Sequence, residues 1–275
     1  MFERLRSSAR TKLQRAVSEV VETADRRNAD RTQQILDALA LSRDELAEAR
    51  GDIAGLRSRI DELEFRQRRD LAYAVDLEAT ASTAEFILEH LRVTDTFGHP
   101  HDTLRHALGQ IEIPGMALEF GVASGTTLRI ITEAFTEREG TVAGFDVFSG
   151  LPETWRTGFP VGEFAQESIP EVPGAQLVPG LFEDTLPSFL NDKSGPVAFL
   201  HLDADLYSST KTVLDLLGDR LVPGSIVVFD EFFNYPGWQQ HEYRAWTEFV
   251  TRTGISFEYL GYTVDNEQVI VEITS

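Results

Sequence analysis

Two acidic segments, each directly after an apolar run, constrain this chain more than any other feature. The segment His201–Asp205 follows the run 196–200, and Asp230-Glu231 follows the run 224–229. Apolar runs of this length are typical of strands that are buried in a parallel sheet. Carboxylates at the ends of buried strands are costly unless they are neutralised. We therefore expect four carboxylates to meet at one sheet edge and to suit a divalent cation such as Mg²⁺; they are Asp203, Asp205, Asp230 and Glu231.

Strand and helix patterns alternate after residue 114. The expected strands are 116–122, 141–147, 176–178, 196–202 and 225–229, with helices at 126–135, 186–190, 210–217 and 242–251. This order predicts an α/β fold with a Rossmann-like, mostly parallel sheet and helices on both faces. The last two strands, 255–262 and 268–273, can only form a hairpin, so one is antiparallel. Ligands bind at the carboxyl ends of such strands, and the loop 150–174 is expected to cover that edge.

The N-terminal part has a different pattern. Residues 1–70 contain no proline and carry a heptad seam, which consists of Ile35, Leu39, Ser42, Leu46, Ala49, Ile53, Leu56, Ile60 and Leu63. We predict a helical, coiled-coil-like segment over 1–70 that forms a homo-oligomer, a helical lead-in or lid over 71–112, and the main domain over 113–275. A solvated helix packed on its own domain remains an alternative. The basic residues of 1–15 leave open a contact with an anionic membrane surface or a partner protein.

Composition excludes several classes of protein. The chain has no cysteine, which excludes disulfides, thiolate metal sites and a cysteine nucleophile. No apolar run approaches 18 residues and the N-terminus lacks the apolar core of a secretory signal, so we expect no transmembrane segment and a cytoplasmic location. Residues 71–275 hold 10 Lys and Arg against 31 Asp and Glu, a balance that should repel nucleic-acid phosphate.

A glycine turn ends the first predicted strand, 116–122, in the segment Glu119–Gly125. Gly121 and Gly125 would let the backbone approach a ligand closely. Ala123 stands where a dinucleotide-binding turn has a second glycine, and Glu119 would repel a pyrophosphate but could neutralise the cationic end of S-adenosylmethionine. Asp146 ends the next strand, about 20 residues later, where such folds bind ribose hydroxyls. Phe182 could lie on an adenine ring.

Five segments together resemble the macrocin O-methyltransferase family. They are Glu119–Gly125, Gly144–Asp146, Gly180–Thr185, Asp203–Ser209 and Phe229–Glu231. Members of that family are class I, S-adenosylmethionine-dependent, Mg²⁺-dependent enzymes that methylate hydroxyls, often on sugars of natural products. The resemblance covers about residues 82–275 and implies a small-molecule hydroxyl acceptor.

The resemblance also implies roles for residues. Asp203, Asp230 and Glu231 would be the metal ligands, although the family more often has Asp-Asp at the last two positions. Asp205 would be the general base, as its i, i+2 spacing from Asp203 in an extended segment also indicates, and His241 is a candidate second base or orienting residue. The resemblance implies that Glu119, Gly121, Gly125 and Asp146 bind the cofactor. Further predicted cofactor contacts are Ser124, Phe182, Glu183 and Asp203.

Three other functions were weighed against this one. Asp203-Ala204-Asp205 is also the metal-binding form found in glycosyltransferases, but Arg129 and Lys211 are the nearest cations in sequence to offset a nucleotide diphosphate. A nicotinamide dehydrogenase would need the G-x-G-x-x-G turn that is missing here. A catalytically silent coiled-coil scaffold is the non-enzyme alternative, and the presence of all four carboxylates weighs against it.

Overall fold

The structure is a computed structural model that describes residues 2–138 and 140–275. The side chains of residues 2–9 and 11 lie outside the described part, and those of Arg4 and Arg6, two of the five basic residues in 1–15, are among them. The chain divides into two compact units, of which the first ends at Leu71 and the second spans Ala72–Ser275.

The first unit is one helix, α1 (Phe2–Arg69), of 68 residues. At 1.5 Å per residue it is about 100 Å long. Its described side chains are exposed along the whole length, and a Cβ added at Gly51 or Gly55 would meet nothing within 4 Å. The long N-terminal helix predicted from the sequence is confirmed. Among the described residues, no helix combines the length and the apolar character that crossing a membrane requires.

The second unit alternates strands and helices. Its helices are α2 (Leu71–His90), α3 (Pro100–Gly109), α4 (Thr126–Ala134), α5 (Phe182–Asp192), α6 (Tyr207–Leu217) and α7 (Glu242–Thr253). Its strands are β1 (Asp95–Phe97), β2 (Met116–Phe120), β3 (Val142–Asp146), β4 (Ala175–Pro179), β5 (Val197–Leu202), β6 (Ile226–Phe229), β7 (Phe257–Thr263) and β8 (Val269–Ile273). Short 3₁₀ turns occur at Gly218–Arg220 and Trp238–Gln240.

All eight strands form one sheet in the order β1-β7-β8-β6-β5-β2-β3-β4. Only β8 runs against its neighbours, since it pairs antiparallel with β6 and β7 while the other pairs are parallel. The predicted mostly parallel sheet with an antiparallel C-terminal strand is confirmed. Strand β1 was not predicted, because the sequence shows only a helix break there; its three residues are too few to show a strand period.

Apolar layers cover both faces of the sheet. On one face Phe120 and Phe145 stack at 4.7 Å between ring centroids, and α2 adds Phe86, which contacts Trp238 edge-on at 5.7 Å. On the other face the layer is built from α3, α4 and alternate strand residues, among them Leu104, Leu108, Leu128, Phe199 and Val228. Because both faces are covered, the free edge for a ligand is the one where the parallel strands end.

Candidate active site

A cavity of about 500 Å³ opens at the carboxyl ends of the parallel strands. The turn after β2 lines one side of it, and the segment after β5 lines another. The loop 150–164 supplies the apolar part of the wall, with Leu151, Trp155, Phe159 and Phe164. This volume lies within the range of small-molecule sites, about 300–1,000 Å³.

The glycine turn after β2 and the acidic segment after β5 are in direct backbone contact. Gly121 has φ +96°, and a Cβ there would lie 1.6 Å from the carbonyl oxygen of Asp203. Only glycine can occupy this position, since both the left-handed φ and the contact exclude a side chain. The contact brings the predicted cofactor turn and the predicted metal ligand to the same cavity.

Asp146 at the end of β3 holds this turn in place. Its Oδ2 accepts hydrogen bonds from the backbone N–H groups of Val122 (2.9 Å) and Ala123 (2.7 Å). Its Oδ1 accepts from the N–H of Phe148 at 2.6 Å. Ala123 lies at φ +43°, a conformation that costs a non-glycine residue roughly 1–2 kcal/mol and that these bonds stabilise. Asp146 also lines the cavity.

Glu119 lies beneath the cavity and does not line it. Its side chain is fully buried, and its Oε1 is 2.9 Å from Nδ1 of His201 on the neighbouring strand. Oε2 has no hydrogen-bond partner among the described atoms. Burial raises the pKa of Glu119, while the bond to His201 opposes that rise. Glu119 contacts His201 and is not among the residues that line the cavity, and its contact with a cationic cofactor stays a prediction.

The opposite ring nitrogen of His201 links this pair to the acidic cluster. Nε2 lies 3.7 Å from Oδ1 of Asp230. Ligand atoms of His201, Asp203 and Asp230 all lie within 4.8 Å of one another, an arrangement that could hold a metal ion. Burial alone would raise the pKa of Asp230, but the partnership with His201 lowers it. The pKa of His201 is raised by its two carboxylate neighbours against the effect of burial.

The other three carboxylates of the cluster line the cavity, and their pKa values all rise. Burial and the nearby Asp230 raise the pKa of Asp203 and of Glu231 well above their ordinary values. The same two causes raise the pKa of Asp205 to about 7. Among the described atoms, the buried Oε2 of Glu231 has no hydrogen-bond partner. Such mutual repulsion is relieved when a cation binds among the carboxylates.

Asp203 and Asp205 reach the same cavity by a route that the sequence reasoning did not foresee. The sequence predicts an extended segment in which residues two apart face the same way. Instead β5 ends at Leu202, and Asp205 adopts the left-handed conformation at φ +59°. Aspartate tolerates this region better than most residues, and strained backbone of this kind clusters at functional sites.

Sequence reasoning also missed Arg156, the only cation that lines the described cavity. Its guanidinium lies 3.9 Å from the ring centre of Trp155 and 4.4 Å from that of Tyr235. It bonds both carboxylate oxygens of Glu267, at 3.2 and 3.4 Å. The arginine therefore ties the loop 150–174 to the β7–β8 turn. No local motif marks this contact, because the two charges are 111 residues apart in the chain.

The other residues predicted to bind the cofactor or to take part in catalysis form two groups, those that line the cavity and those that do not. Phe182 and Glu183 line the cavity, and the Phe182 ring meets Phe120 edge-on at 5.1 Å. Gly125 and Ser124 lie in the same turn but outside the cavity lining. His241 is also outside the lining; its ring is 6.4 Å from Trp155 and 5.7 Å from Tyr235, and burial followed by the charge of Arg156 lowers its pKa.

Comparison with known proteins shows which proteins this chain resembles. Residues 118–232 match the model of a family described as a methyltransferase domain. A tetracenomycin-C rhamnosyl 4'-O-methyltransferase from Streptomyces olivaceus is 29% identical over 143 residues, covering 44% of this chain and 54% of that protein. Demethyldecarbamoylnovobiocin O-methyltransferase from Streptomyces niveus is 28% identical over 158 residues, covering 48% and 59%. The chain thus spans little more than half the length of these relatives.

Among solved structures, the calicheamicin methyltransferase CalS11 is similar over 77% of this chain and 92% of its own. The sequence identity is 25% and the TM-score is 0.51. These matches do not favour the glycosyltransferase or the silent-scaffold alternative. They confirm the family resemblance that the five motifs indicate, since residues 118–232 are similar to a methyltransferase domain.

Proposed function

We propose that this protein is an S-adenosylmethionine-dependent, Mg²⁺-dependent O-methyltransferase that acts on a hydroxyl of a sugar or a glycosylated natural product. The observation that carries the proposal is the contact of the Gly121 turn with Asp203. It joins the turn predicted to bind the cofactor to a cluster of carboxylates, and both line one cavity. The relatives with sugar and natural-product acceptors in their names support the acceptor class.

The cofactor side of the cavity fits S-adenosylmethionine, which supplies the methyl group when it is bound. Gly121 and Asp146 line this side of the cavity, where Asp146 would present carboxylate oxygens and Phe182 an aromatic ring. Glu183 lines the same wall and would contribute a hydrogen-bond acceptor. The acidic surroundings favour a cationic sulfonium over an anionic cofactor. Glu119 contributes indirectly, because it holds His201 beneath the cluster.

The carboxylate cluster fits a magnesium ion, which would lower the pKa of an acceptor hydroxyl when bound. Asp203, Asp230 and Glu231 would hold it, since oxygen ligands are those that Mg²⁺ prefers. Two observations support this fit. One is the buried, unpartnered Oε2 of Glu231; the other is the close approach of the ligand atoms of Asp203, Asp230 and His201.

Asp205 is the residue that we assign to proton transfer. Its carboxylate lines the cavity beside Asp203, and its left-handed backbone holds it there. It would accept the proton of the acceptor hydroxyl as that oxygen bonds to the methyl carbon and the methyl–sulfur bond breaks, which leaves the cofactor as a neutral thioether. Trp155 and Phe159, which the Arg156–Glu267 pair holds over the cavity, would exclude water and stack on a sugar ring. His241 packs behind Trp155, and we assign it a positioning role.

Calorimetric titration with S-adenosylmethionine, with and without Mg²⁺, tests the proposal first. We expect micromolar binding, followed by Mg²⁺-dependent methylation of a rhamnosylated or related acceptor. Asp205→Asn should lower kcat by about 10²–10⁴-fold and leave cofactor binding unchanged. Asp192→Asn is the matched control, since Asp192 is exposed at the end of α5. Absence of binding in both conditions would remove the methyltransferase proposal.

A further inference from the structure

The seam along the second half of α1 presents large apolar side chains to solvent. Between residues 35 and 63 the a positions of the heptad are Leu39, Leu46, Ile53 and Ile60, and the d positions are Ile35, Ser42, Ala49, Leu56 and Leu63. The seven large apolar members are each at least half exposed. Four successive heptads of this kind are enough for a stable coiled coil. The methyltransferase activity proposed above makes no use of this surface.

The residues beside the seam show which partner fits it. In a parallel, in-register pair, each g residue faces the e residue of the following heptad on the other helix. The facing pairs are then Glu45 with Arg50, Asp52 with Arg57, and Arg59 with Glu64. All three pairs join opposite charges, so a second copy of this helix complements the first.

The same charges disfavour the antiparallel pair. There e residues face e residues, and the three central e positions are all arginine, namely Arg43, Arg50 and Arg57. Like charges at these positions repel across the seam. The four charged residues of the first two parallel pairs form no ion pair within the part of the chain that the structure describes, so they remain open to an interchain partner.

The core residues favour two chains. Isoleucine at a with leucine at d is the combination that favours parallel dimers, and it occurs in the last two heptads as Ile53 with Leu56 and Ile60 with Leu63. The two glycines of the helix, Gly51 and Gly55, occupy positions f and c on the outer side. Their missing side chains therefore remove nothing from the seam.

We propose that residues 35–63 join two copies of this chain as a parallel, in-register coiled-coil dimer. The mass of the full chain in solution, measured by sedimentation or light scattering, should be twice 30.8 kDa. A monomer, or a trimer or larger species, would overturn the proposal.

A charge-swap experiment tests the facing pairs. The g variant E45R/D52R/R59E and the e variant R50E/R57E/E64R each place like charges in all three pairs, so each alone should dimerise at least tenfold more weakly. Mixed together they restore opposite charges in every pair, and they should form a heterodimer. Both variants must keep the helix content of the parent by circular dichroism. If the mixture associates no better than either variant alone, the facing pairs are wrong.

Cross-linking tests the relative orientation of the two helices. Because the chain has no cysteine, an introduced cysteine can form a disulfide only with the same residue of another copy. Ser42 lies at d, facing its own copy in a parallel, in-register pair, whereas Ser58 lies at f on the outer side. Under mild oxidation Ser42→Cys should give a disulfide-linked dimer, and Ser58→Cys should remain largely unlinked. Equal cross-linking of the two variants would overturn the parallel register.

Discussion

The carboxylate of Asp146 accepts three backbone hydrogen bonds, and its replacement tests whether these bonds build the glycine turn. Oδ2 accepts hydrogen bonds from the N–H groups of Val122 and Ala123, and Oδ1 accepts one from the N–H of Phe148. In Asp146→Asn one oxygen becomes an NH₂ group, which cannot accept a bond. The side chain keeps most contacts by turning its oxygen toward Val122 and Ala123. The N–H of Phe148 then faces another donor.

The expected losses follow from the number and type of bonds. A hydrogen bond to a charged group contributes about 1.5–3 kcal/mol. Asp146→Asn loses one such bond and the charge assistance of two more, so the free energy of unfolding should fall by about 2–3 kcal/mol. Asp146→Ala loses all three, but water reaches this half-buried position and limits the loss to about 3–5 kcal/mol. Each kcal/mol should lower Tm by about 2–4 °C in a unit of this size.

Urea unfolding followed by tryptophan fluorescence measures these losses. The three tryptophans all lie in the second unit, so the signal does not report on the long helix. Asp192→Asn, an exposed carboxylate change, should stay within about 0.5 kcal/mol of the parent. The reasoning fails if Asp146→Ala also stays within that margin. A stable Asp146→Asn variant that loses cofactor binding would instead show that the carboxylate serves mainly as a direct ligand contact.

Three further outcomes are expected from the same assay. Gly121→Ala should cost at least about 3 kcal/mol, because its Cβ would meet the Asp203 carbonyl; Gly158→Ala, with a similar φ of +95° and nothing within 4 Å, should cost only about 1–2 kcal/mol, and equal costs would contradict the contact. Glu119→Ala should cost about 3–5 kcal/mol, since it leaves Nδ1 of the buried His201 without its hydrogen-bond partner, and a neutral result would show that the pair adds no stability. Mg²⁺ at 100 times its Kd should raise the free energy of unfolding by about 2.7 kcal/mol; no shift at millimolar Mg²⁺ would argue against the metal site.

The sequence alone was enough to predict the layers of the fold and the edge that carries the site. Apolar runs that alternate with helical patterns determine a parallel sheet, because each strand must be buried on both faces. Carboxylates that directly follow such runs come to the same edge wherever the strands lie in the sheet. Asp203, Asp205 and Glu231 could therefore be placed at the cavity before any coordinates were known. The roles assigned to them stay predictions.

Only the tertiary structure decided which of these residues face one another. Glu119 and His201 are 82 residues apart, and they meet because β2 and β5 are neighbours with these two residues in register. Asp146 turns back on a backbone segment 23 residues earlier, and Arg156 reaches across 111 residues to Glu267. Local pattern reports the period and the burial of a segment, but it carries no information about strand order. The pairing of strands is determined by packing over the whole domain, so the partners of buried charges follow from the folded structure alone.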